Sequence, residues 1–136
     1  LSQKNAPVQH LLLYGESLGT GVATKMAEEY PNVCGLILQS PYTSLTSLGQ
    51  YYYPWIPITP WDKFDSLSRM KKIHVPLLIL HGTEDTVIPY QEGETLFRAA
   101  NQPKQWVRLQ SQGHAHLWTD EFLDTIRLFT IANCSK

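Results

Sequence analysis

The chain has 136 residues, of which 43% are hydrophobic, 17% charged and 11% aromatic. This length is typical of one domain and allows about two-thirds of the unfolded surface to be buried. Eleven basic and twelve acidic residues give a net charge of −1, which argues against a nucleic-acid-binding protein and against a basic surface that holds an anionic membrane.

Short apolar runs alternate with helical patterns along the chain. Three runs are typical of buried strands: Val8–Tyr14, Val33–Leu38 and Pro76–Leu80. Gln105–Leu109 predicts a fourth strand. Apolar residues at helical spacing predict three helices: residues 18–30, Tyr90–Ala100 and Leu117–Ile131. Strands that alternate with helices indicate an α/β fold, in which helices cover both faces of a mostly parallel sheet.

The segment 41–75 interrupts this alternation. It is rich in tyrosine and tryptophan, with three prolines between positions 54 and 60. Prolines at this density do not allow a long helix, so we expect short turns or helices above the carboxyl edge of the sheet. The aromatic side chains either pack this segment against the domain or form a short lid over an apolar substrate pocket. In the second case, we expect Tyr42 and Trp55 to contact the substrate.

Gly15-Glu16-Ser17-Leu18-Gly19 matches the pattern G-x-S-x-G. The pattern is short, but here it follows a predicted strand and opens a predicted helix, which is the setting of a nucleophile elbow. A turn this sharp strains the serine backbone and brings strand and helix close together, so the flanking residues must be small. Gly15 and Gly19 are expected to meet this requirement, and Ser17 becomes the candidate nucleophile.

A serine hydroxyl is a poor nucleophile at neutral pH and needs a base that is itself oriented by an acid. In hydrolases with a nucleophile elbow the chain order is Ser, then Asp or Glu, then His. Glu84 and Asp85 follow the third predicted strand, and His114 and His116 follow the fourth. These residues are the candidates for acid and base. The alternatives are a turn or capping role for the aspartate and an ordinary loop position for the histidines.

Other reactive side chains offer weaker hypotheses. His114 and His116 could hold a metal, but no third ligand is evident, so we expect neither a metal nor a cofactor. His81 ends a predicted strand and either lines the site or packs within the domain. Two cysteines exclude a scaffold of several disulfides. Cys34 lies in an apolar run, and we expect it to be a buried free thiol.

Features that would place the chain in a membrane or outside the cell are weak in this sequence. The apolar runs are far shorter than the roughly 20 residues of a transmembrane helix, and the first residues do not resemble a signal peptide. We therefore expect this segment to be cytoplasmic and without a membrane span.

The chain resembles the α/β-hydrolase superfamily over nearly its whole length. Four motifs carry the likeness: Tyr14–Thr20, Ser40–Ser44, His81–Asp85 and Gly113-His114. It is most similar to the serine hydrolases grouped with bud-emergence-type proteins and with depalmitoylase-like α/β-hydrolase-domain proteins. The resemblance implies that Ser17 is the nucleophile, Asp85 the acid and His114 the base, with the Leu18 N–H as an oxyanion donor.

The resemblance also implies a reaction. A serine hydrolase of this kind cleaves an ester, thioester or amide through an acyl-enzyme, and its substrate is a small-molecule or lipid-like acyl compound. An acyltransferase or a haloperoxidase on the same scaffold would use the same residues. The chain departs from the resembled pattern after the histidine, where Ala115-His116 stand in place of the common asparagine.

The resembled fold usually has eight strands, whereas this sequence begins directly before the strand that leads to Ser17. We therefore expect residues 1–136 to form the carboxyl-terminal part of such a domain, a partial α/β-hydrolase fold with about four strands. The strand Val8–Tyr14 would then present an open edge that can pair with the missing strands. The second oxyanion donor of the resembled fold belongs to that missing part. The alternative function is an inactive truncated hydrolase domain that binds a ligand or a partner.

Overall fold

The computed structural model describes residues 8–52, 54–55, 64–110 and 119–134. After a short 3-10 turn, four strands follow in chain order: β1 (Leu12–Glu16), β2 (Gly35–Gln39), β3 (Leu77–Gly82) and β4 (Lys104–Leu109). Five helices connect and follow them: α1 (Gly19–Glu29), α2 (Leu45–Tyr52), α3 (Ser66–Met70), α4 (Tyr90–Ala99) and α5 (Asp120–Cys134).

The four strands form one parallel sheet in the order β1-β2-β3-β4. Gly15 pairs with Leu38 of β2, and Leu38 in turn pairs with Ile79 of β3. Because all strands run the same way, their carboxyl ends meet at one edge of the sheet. Residues that directly follow β1, β3 and β4 are therefore gathered on the same side of the domain, where ligands bind in open parallel sheets.

Helices cover both faces of this sheet, as the alternation of strands and helices predicts. On one face, buried residues of α1, α3 and α4 pack in a common core with Leu36 and Ile79. On the other face, Phe122 and Phe129 of α5 pack with Ile37 and Leu78. Neighbouring residues of β2 and β3 thus point to opposite cores, which explains why these strands read as continuous apolar runs.

Helix α1 is predicted correctly, but the apolar repeat in its sequence does not form its buried face. Leu18 and Val22 are 61% and 50% exposed, respectively. The buried face consists of smaller residues: Thr20, Gly21, Ala23, Thr24 and Ala27. Small side chains let the helix axis approach the sheet closely, and this close approach is needed because α1 starts directly at the end of β1.

The first strand lies later in the chain than its apolar run indicates. Val8–His10 forms the 3-10 turn, and β1 extends instead through Gly15 to Glu16. Parallel pairing with β2 decides these limits, since Glu16 pairs with Gln39. Within the described part of the chain, β1 pairs only with β2 and forms the edge of the sheet, in line with the open edge expected from the sequence.

The segment 41–75 forms short helices, as its prolines predict. Helix α3 begins after Asp65, whose side chain accepts a hydrogen bond from the Ser68 amide at 3.2 Å. The helix ends at Met70, which is fully buried in the core shared with α1 and α4. Part of the expected aromatic lid, residue 53 and residues 56–63, lies outside the described residues.

The expectation of a free thiol at Cys34 is wrong. Cys34 forms a disulfide with Cys134, and their Cα atoms lie 5.3 Å apart. The bond joins the residue before β2 to the end of α5. A Cβ at Gly35 would lie 2.8 Å from Phe129 Cε2, so α5 packs directly on the start of β2 and brings the two cysteines together. Spacing alone did not indicate this pair, because 100 residues separate them.

Loss of this disulfide is expected to destabilise the fold. The bond closes a loop of 100 residues. In the chain-entropy view, this raises the free energy of the unfolded chain by up to about 4.7 kcal/mol. A Cys34→Ser/Cys134→Ser double variant should therefore have a lower free energy of unfolding in urea than the oxidised protein. Reduced wild type should match the double variant. Equal stability of the oxidised protein and the double variant would contradict the prediction.

Candidate active site

The G-x-S-x-G sequence forms a sharp turn between β1 and α1. Ser17 has a φ of 55°, a left-handed conformation that costs a non-glycine residue roughly 1–3 kcal/mol. The turn is held on both sides: the Ser17 amide donates to the Gln39 carbonyl at 2.9 Å, and the Ser17 carbonyl accepts from the Thr20 amide and hydroxyl at 3.0 and 2.7 Å. The strain predicted for a nucleophile elbow is present at Ser17.

Only one of the two motif glycines is required by the packing. A Cβ at Gly15 would lie 2.7 Å from the Gly19 carbonyl oxygen and 2.8 Å from Ala23 Cβ. A Cβ at Gly19 would meet no atom within 4 Å, so the expectation that Gly19 must be small is wrong. The second close approach is at Gly21, where a Cβ would lie 2.2 Å from the Tyr42 hydroxyl. Helix α1 therefore packs closely against β1 at Gly15, whereas the space beside Gly19 is open.

The difference in free space beside the two glycines predicts different results when each is replaced by alanine. Gly15→Ala should lower the free energy of unfolding by about 1–3 kcal/mol, because the new methyl group meets backbone that cannot move aside. Gly19→Ala should leave stability unchanged or raise it slightly, since alanine favours a helix more than glycine does. Thermal unfolding of both variants checks the prediction, which fails if they shift the melting temperature equally.

Leu18 links the turn to the first turn of α1. Its backbone is helical, and it occupies the N-cap position, where helix N–H groups have no partner within the helix. Its side chain is exposed. The Leu18 carbonyl accepts a hydrogen bond from the Tyr42 hydroxyl at 3.1 Å. The Leu18 amide therefore lies beside Ser17 on a backbone that is held in place from the segment after β2.

The two predicted substrate contacts differ in their surroundings. Tyr42 is 1% exposed and packs with Leu48 and Ile88, so its ring is part of the core beside the Ser17 turn. Trp55 is 75% exposed. Direct contact of either side chain with a substrate stays a prediction.

Asp85 lies in the loop that follows β3, and its carboxylate is buried. Its Oδ1 accepts hydrogen bonds from the Val87 and Ile88 amides at 2.9 and 2.8 Å. Glu84, the competing acid, is exposed. A buried carboxylate held by two amides has a fixed orientation, whereas an exposed glutamate does not, and this difference favours Asp85 as the acid.

His81 lies directly behind this loop, at the carboxyl end of β3. It is fully buried, and its Nε2 is 2.9 Å from the Ile88 carbonyl oxygen and 3.5 Å from Asp85 Oδ2. The sequence left open whether His81 lines the site or packs within the domain. The structure places it in the interior, in contact with the candidate acid.

The two candidate bases, His114 and His116, lie outside the described residues. The elements on either side are described: β4, which pairs with β3, ends at Leu109, and α5 starts at Asp120. The segment that contains both histidines therefore leaves the sheet from the strand next to that of Asp85. Which histidine serves as the base stays a prediction.

Two further residues near this edge were not identified from the sequence. The Tyr52 hydroxyl, at the end of α2, donates to the Val87 carbonyl. Partial burial, with Tyr51 and Asp85 nearby, raises the pKa of Tyr52 above its usual value. Ser40, which follows β2, has a φ of 54° and is fully buried. A serine before a proline rarely adopts this conformation, so the motif Ser40–Ser44 did not reveal the strained backbone. No local pattern indicates the contact of Tyr52 with Val87.

Tyr14 and Gln39 connect the strands beneath the turn. The Tyr14 hydroxyl donates to the Gln39 side chain, and Gln39 is buried. Burial, with a smaller contribution from the Glu16 charge, raises the pKa of Tyr14 to about 12. The phenol is protonated at neutral pH, as at its usual pKa, and its hydrogen bond joins β1 to β2 three residues before Ser17.

The described residues contain neither a cluster that could hold a metal nor a membrane-spanning helix. Within the described ranges, His, Cys, Asp and Glu side chains do not gather in groups of three or more. Over the same ranges, the helices are too short or too polar to cross a bilayer.

Comparison with known proteins shows which family the chain belongs to. Residues 8–120 match the prolyl oligopeptidase family. The chain is 35% identical over 114 residues to an uncharacterised protein of Mycobacterium tuberculosis, covering 82% of this chain and 40% of that protein. It is 34% identical over 107 residues to the human alpha/beta hydrolase domain-containing protein 17B, covering 78% and 36%. The chain spans less than half the length of both relatives.

A solved structure agrees on the fold. The α/β hydrolase GrgF from Penicillium sp. sh18 superposes with a TM-score of 0.77 at 14% identity, over 98% of this chain and 68% of that one. The match covers the sheet and its helices, and the strained turn at Ser17 is the expected feature of such hydrolases. The chain therefore belongs to the prolyl oligopeptidase family, within the α/β-hydrolase superfamily.

Proposed function

We propose that this chain is the catalytic part of a serine hydrolase that cleaves an ester, thioester or amide through an acyl-enzyme. Membership of a hydrolase family supports a hydrolytic role. The observation that carries the finer proposal is the strained turn at Ser17, which lies between strand and helix as a nucleophile elbow requires. Ser40 has a similar φ of 54°, so the strain supports a nucleophile only together with the position of Ser17 between β1 and α1.

The position of Asp85 supports the same reading. Its loop and Ser17 follow strands on either side of β2, and strand spacing places the ends of β1 and β3 about 10 Å apart. A histidine between them can bridge that distance, since one imidazole nitrogen would bond the serine and the other the carboxylate. The segment with His114 and His116 starts from β4, the next strand along.

In the proposed reaction, Ser17 Oγ attacks the substrate carbonyl carbon and His114 takes the hydroxyl proton. The carbonyl oxygen becomes an oxyanion, which accepts a hydrogen bond from the Leu18 amide. The tetrahedral intermediate then breaks its bond to the leaving group, which receives the proton from His114. Water then attacks the ester carbonyl carbon while His114 takes one of its protons. The second tetrahedral intermediate breaks its bond to Ser17 Oγ, which receives that proton from His114, and the carboxylic acid is released. Asp85 keeps the imidazole in the required tautomer and orientation throughout.

The proposed substrate is a small-molecule or lipid-like acyl compound. Tyr51 is 56% exposed and Trp55 is 75% exposed, so the segment after β2 presents aromatic surface to solvent. Tyr52 of the same segment contacts the acid loop at Val87. Aromatic surface adjacent to the acid loop suits an apolar acyl group better than a charged one.

Two further expectations stay proposals. The edge strand β1 is proposed to pair with strands of the kind that the longer relatives would supply. The cytoplasmic location rests on the sequence alone. Because disulfides persist mainly in oxidising compartments, the redox state of Cys34 and Cys134 in cells tests this expectation.

Burst kinetics with p-nitrophenyl acetate test the acyl-enzyme. An activated aryl ester acylates the serine faster than water removes the acyl group, so the wild type should release about one equivalent of p-nitrophenol per chain before the steady state. His114→Ala should abolish the burst, whereas His116→Ala should retain it. A burst lost only in His116→Ala would reassign the base. A folded wild type without a burst or turnover would instead support the inactive, ligand-binding domain.

A further inference from the structure

We propose that His81 is a positioning residue, which fixes the orientation of the Asp85 carboxylate through the loop 85–88. This inference rests on the proposed function, because it concerns the acid of the proposed triad. His81 lies outside the triad, and its expected action is on Asp85, not on the substrate.

The His81 imidazole forms a hydrogen bond to the loop 85–88. His81 Nε2 lies 2.9 Å from the Ile88 carbonyl oxygen. A carbonyl oxygen only accepts, so Nε2 holds the ring proton and donates it. The same nitrogen is 3.5 Å from Asp85 Oδ2, which is too long for a strong hydrogen bond but close enough for the N–H dipole to attract the carboxylate. Both side chains are fully buried, so water does not screen this contact.

The same peptide segment contacts both His81 and Asp85. The Ile88 amide donates to Asp85 Oδ1 at 2.8 Å, and the Ile88 carbonyl accepts from His81. The Val87 amide adds a second bond to Oδ1. Loss of the His81 donor would free one side of Ile88 and, through its amide, the rotation of the carboxylate.

Close packing holds the His81 ring in this orientation. The space beside His81 Nδ1 exists only because residue 93 is glycine: a Cβ there would lie 2.4 Å from Nδ1. The Tyr90 ring packs edge-on at 5.7 Å between centroids. His81 Nδ1 is buried and has no hydrogen-bond partner. A histidine with one unpaired buried nitrogen is costly as packing alone, so the benefit lies on its Nε2 side.

Two substitutions of His81 distinguish the effect of its hydrogen-bond donor from the effect of its side-chain shape. His81→Gln places an amide N–H near the position of Nε2, whereas His81→Leu fills similar space without a donor. Gly93→Ala displaces the ring independently. His74→Gln, at an exposed histidine before β3, is the matched control. Each variant is measured for kcat and KM with p-nitrophenyl acetate, for melting temperature, and for amide hydrogen exchange at Val87 and Ile88.

His81→Leu should lower kcat by roughly 10- to 100-fold, as expected for a displaced catalytic group, with KM nearly unchanged. Its Val87 and Ile88 amides should exchange at least about tenfold faster, while amides of β2 stay protected. His81→Gln should restore most of both values, and Gly93→Ala should resemble His81→Leu. Wild-type kcat in folded His81→Leu, or equal losses in the leucine and glutamine variants, would overturn the proposal.

The exchange measurement separates this inference from the proposed function. A wild type that hydrolyses nothing would refute the hydrolase proposal, and the exchange at Val87 and Ile88 would still decide whether His81 holds the loop. Unchanged exchange in His81→Leu would refute the positioning role even in an active enzyme.

Discussion

Ser17→Ala is expected to lower the turnover of an aryl ester by about 10⁶-fold, the loss seen when a serine nucleophile is removed from a complete triad. The substitution removes one oxygen from a partly buried side chain and keeps the backbone bonds of the turn to Gln39 and Thr20. The fold should therefore persist. Circular dichroism and the melting temperature, measured beside kcat, distinguish loss of chemistry from loss of structure.

Ser47→Ala is the matched control for this substitution. Ser47 lies within α2 and has no part in the proposed reaction, so its removal should leave turnover near the wild-type value. Turnover that survives Ser17→Ala and falls in the control would place the nucleophile elsewhere.

Asp85→Asn should lower kcat by about 10⁴-fold, the effect known for the acid of a serine triad. An asparagine Oδ1 can still accept from the Val87 and Ile88 amides, so the loop conformation should be kept. The amide lacks the negative charge that stabilises the imidazolium, and its NH₂ group can select the wrong imidazole tautomer. Steady-state kinetics with an aryl ester measure the loss.

Glu84→Gln distinguishes the two candidate acids. Glu84 is adjacent in sequence, but its side chain is exposed. Its substitution should change kcat by less than about twofold, as is usual for exposed residues outside the site. A large loss in Glu84→Gln together with a small loss in Asp85→Asn would exchange their roles.

The sequence predicted those parts of the fold that depend on local patterns. Each of the four predicted runs overlaps one of the four parallel strands, and Phe122 and Phe129 lie on the buried face of α5 as their spacing indicates. The turn at Ser17 was recognised because glycine spacing and the change from strand to helix fall at the same point. Each of these signals involves neighbouring residues only.

The remaining features depend on contacts between distant segments. Pairing with β2 moved the limits of β1, and no local pattern records this pairing. Helix α1 buries its small residues because the sharp turn brings it close to the sheet. The Cys34–Cys134 bond and the contact of His81 with Gly93 join elements that only the tertiary fold brings together.

Labelling with a fluorophosphonate probe, followed by peptide mapping, determines whether Ser17 is an activated nucleophile. A fluorophosphonate phosphorylates an activated serine Oγ with loss of fluoride, so reaction requires the elbow and its base to work together. We predict one adduct per chain, located on Ser17 and absent in Ser17→Ala and His114→Ala. An adduct on another serine, or no adduct on folded wild-type protein, would contradict it.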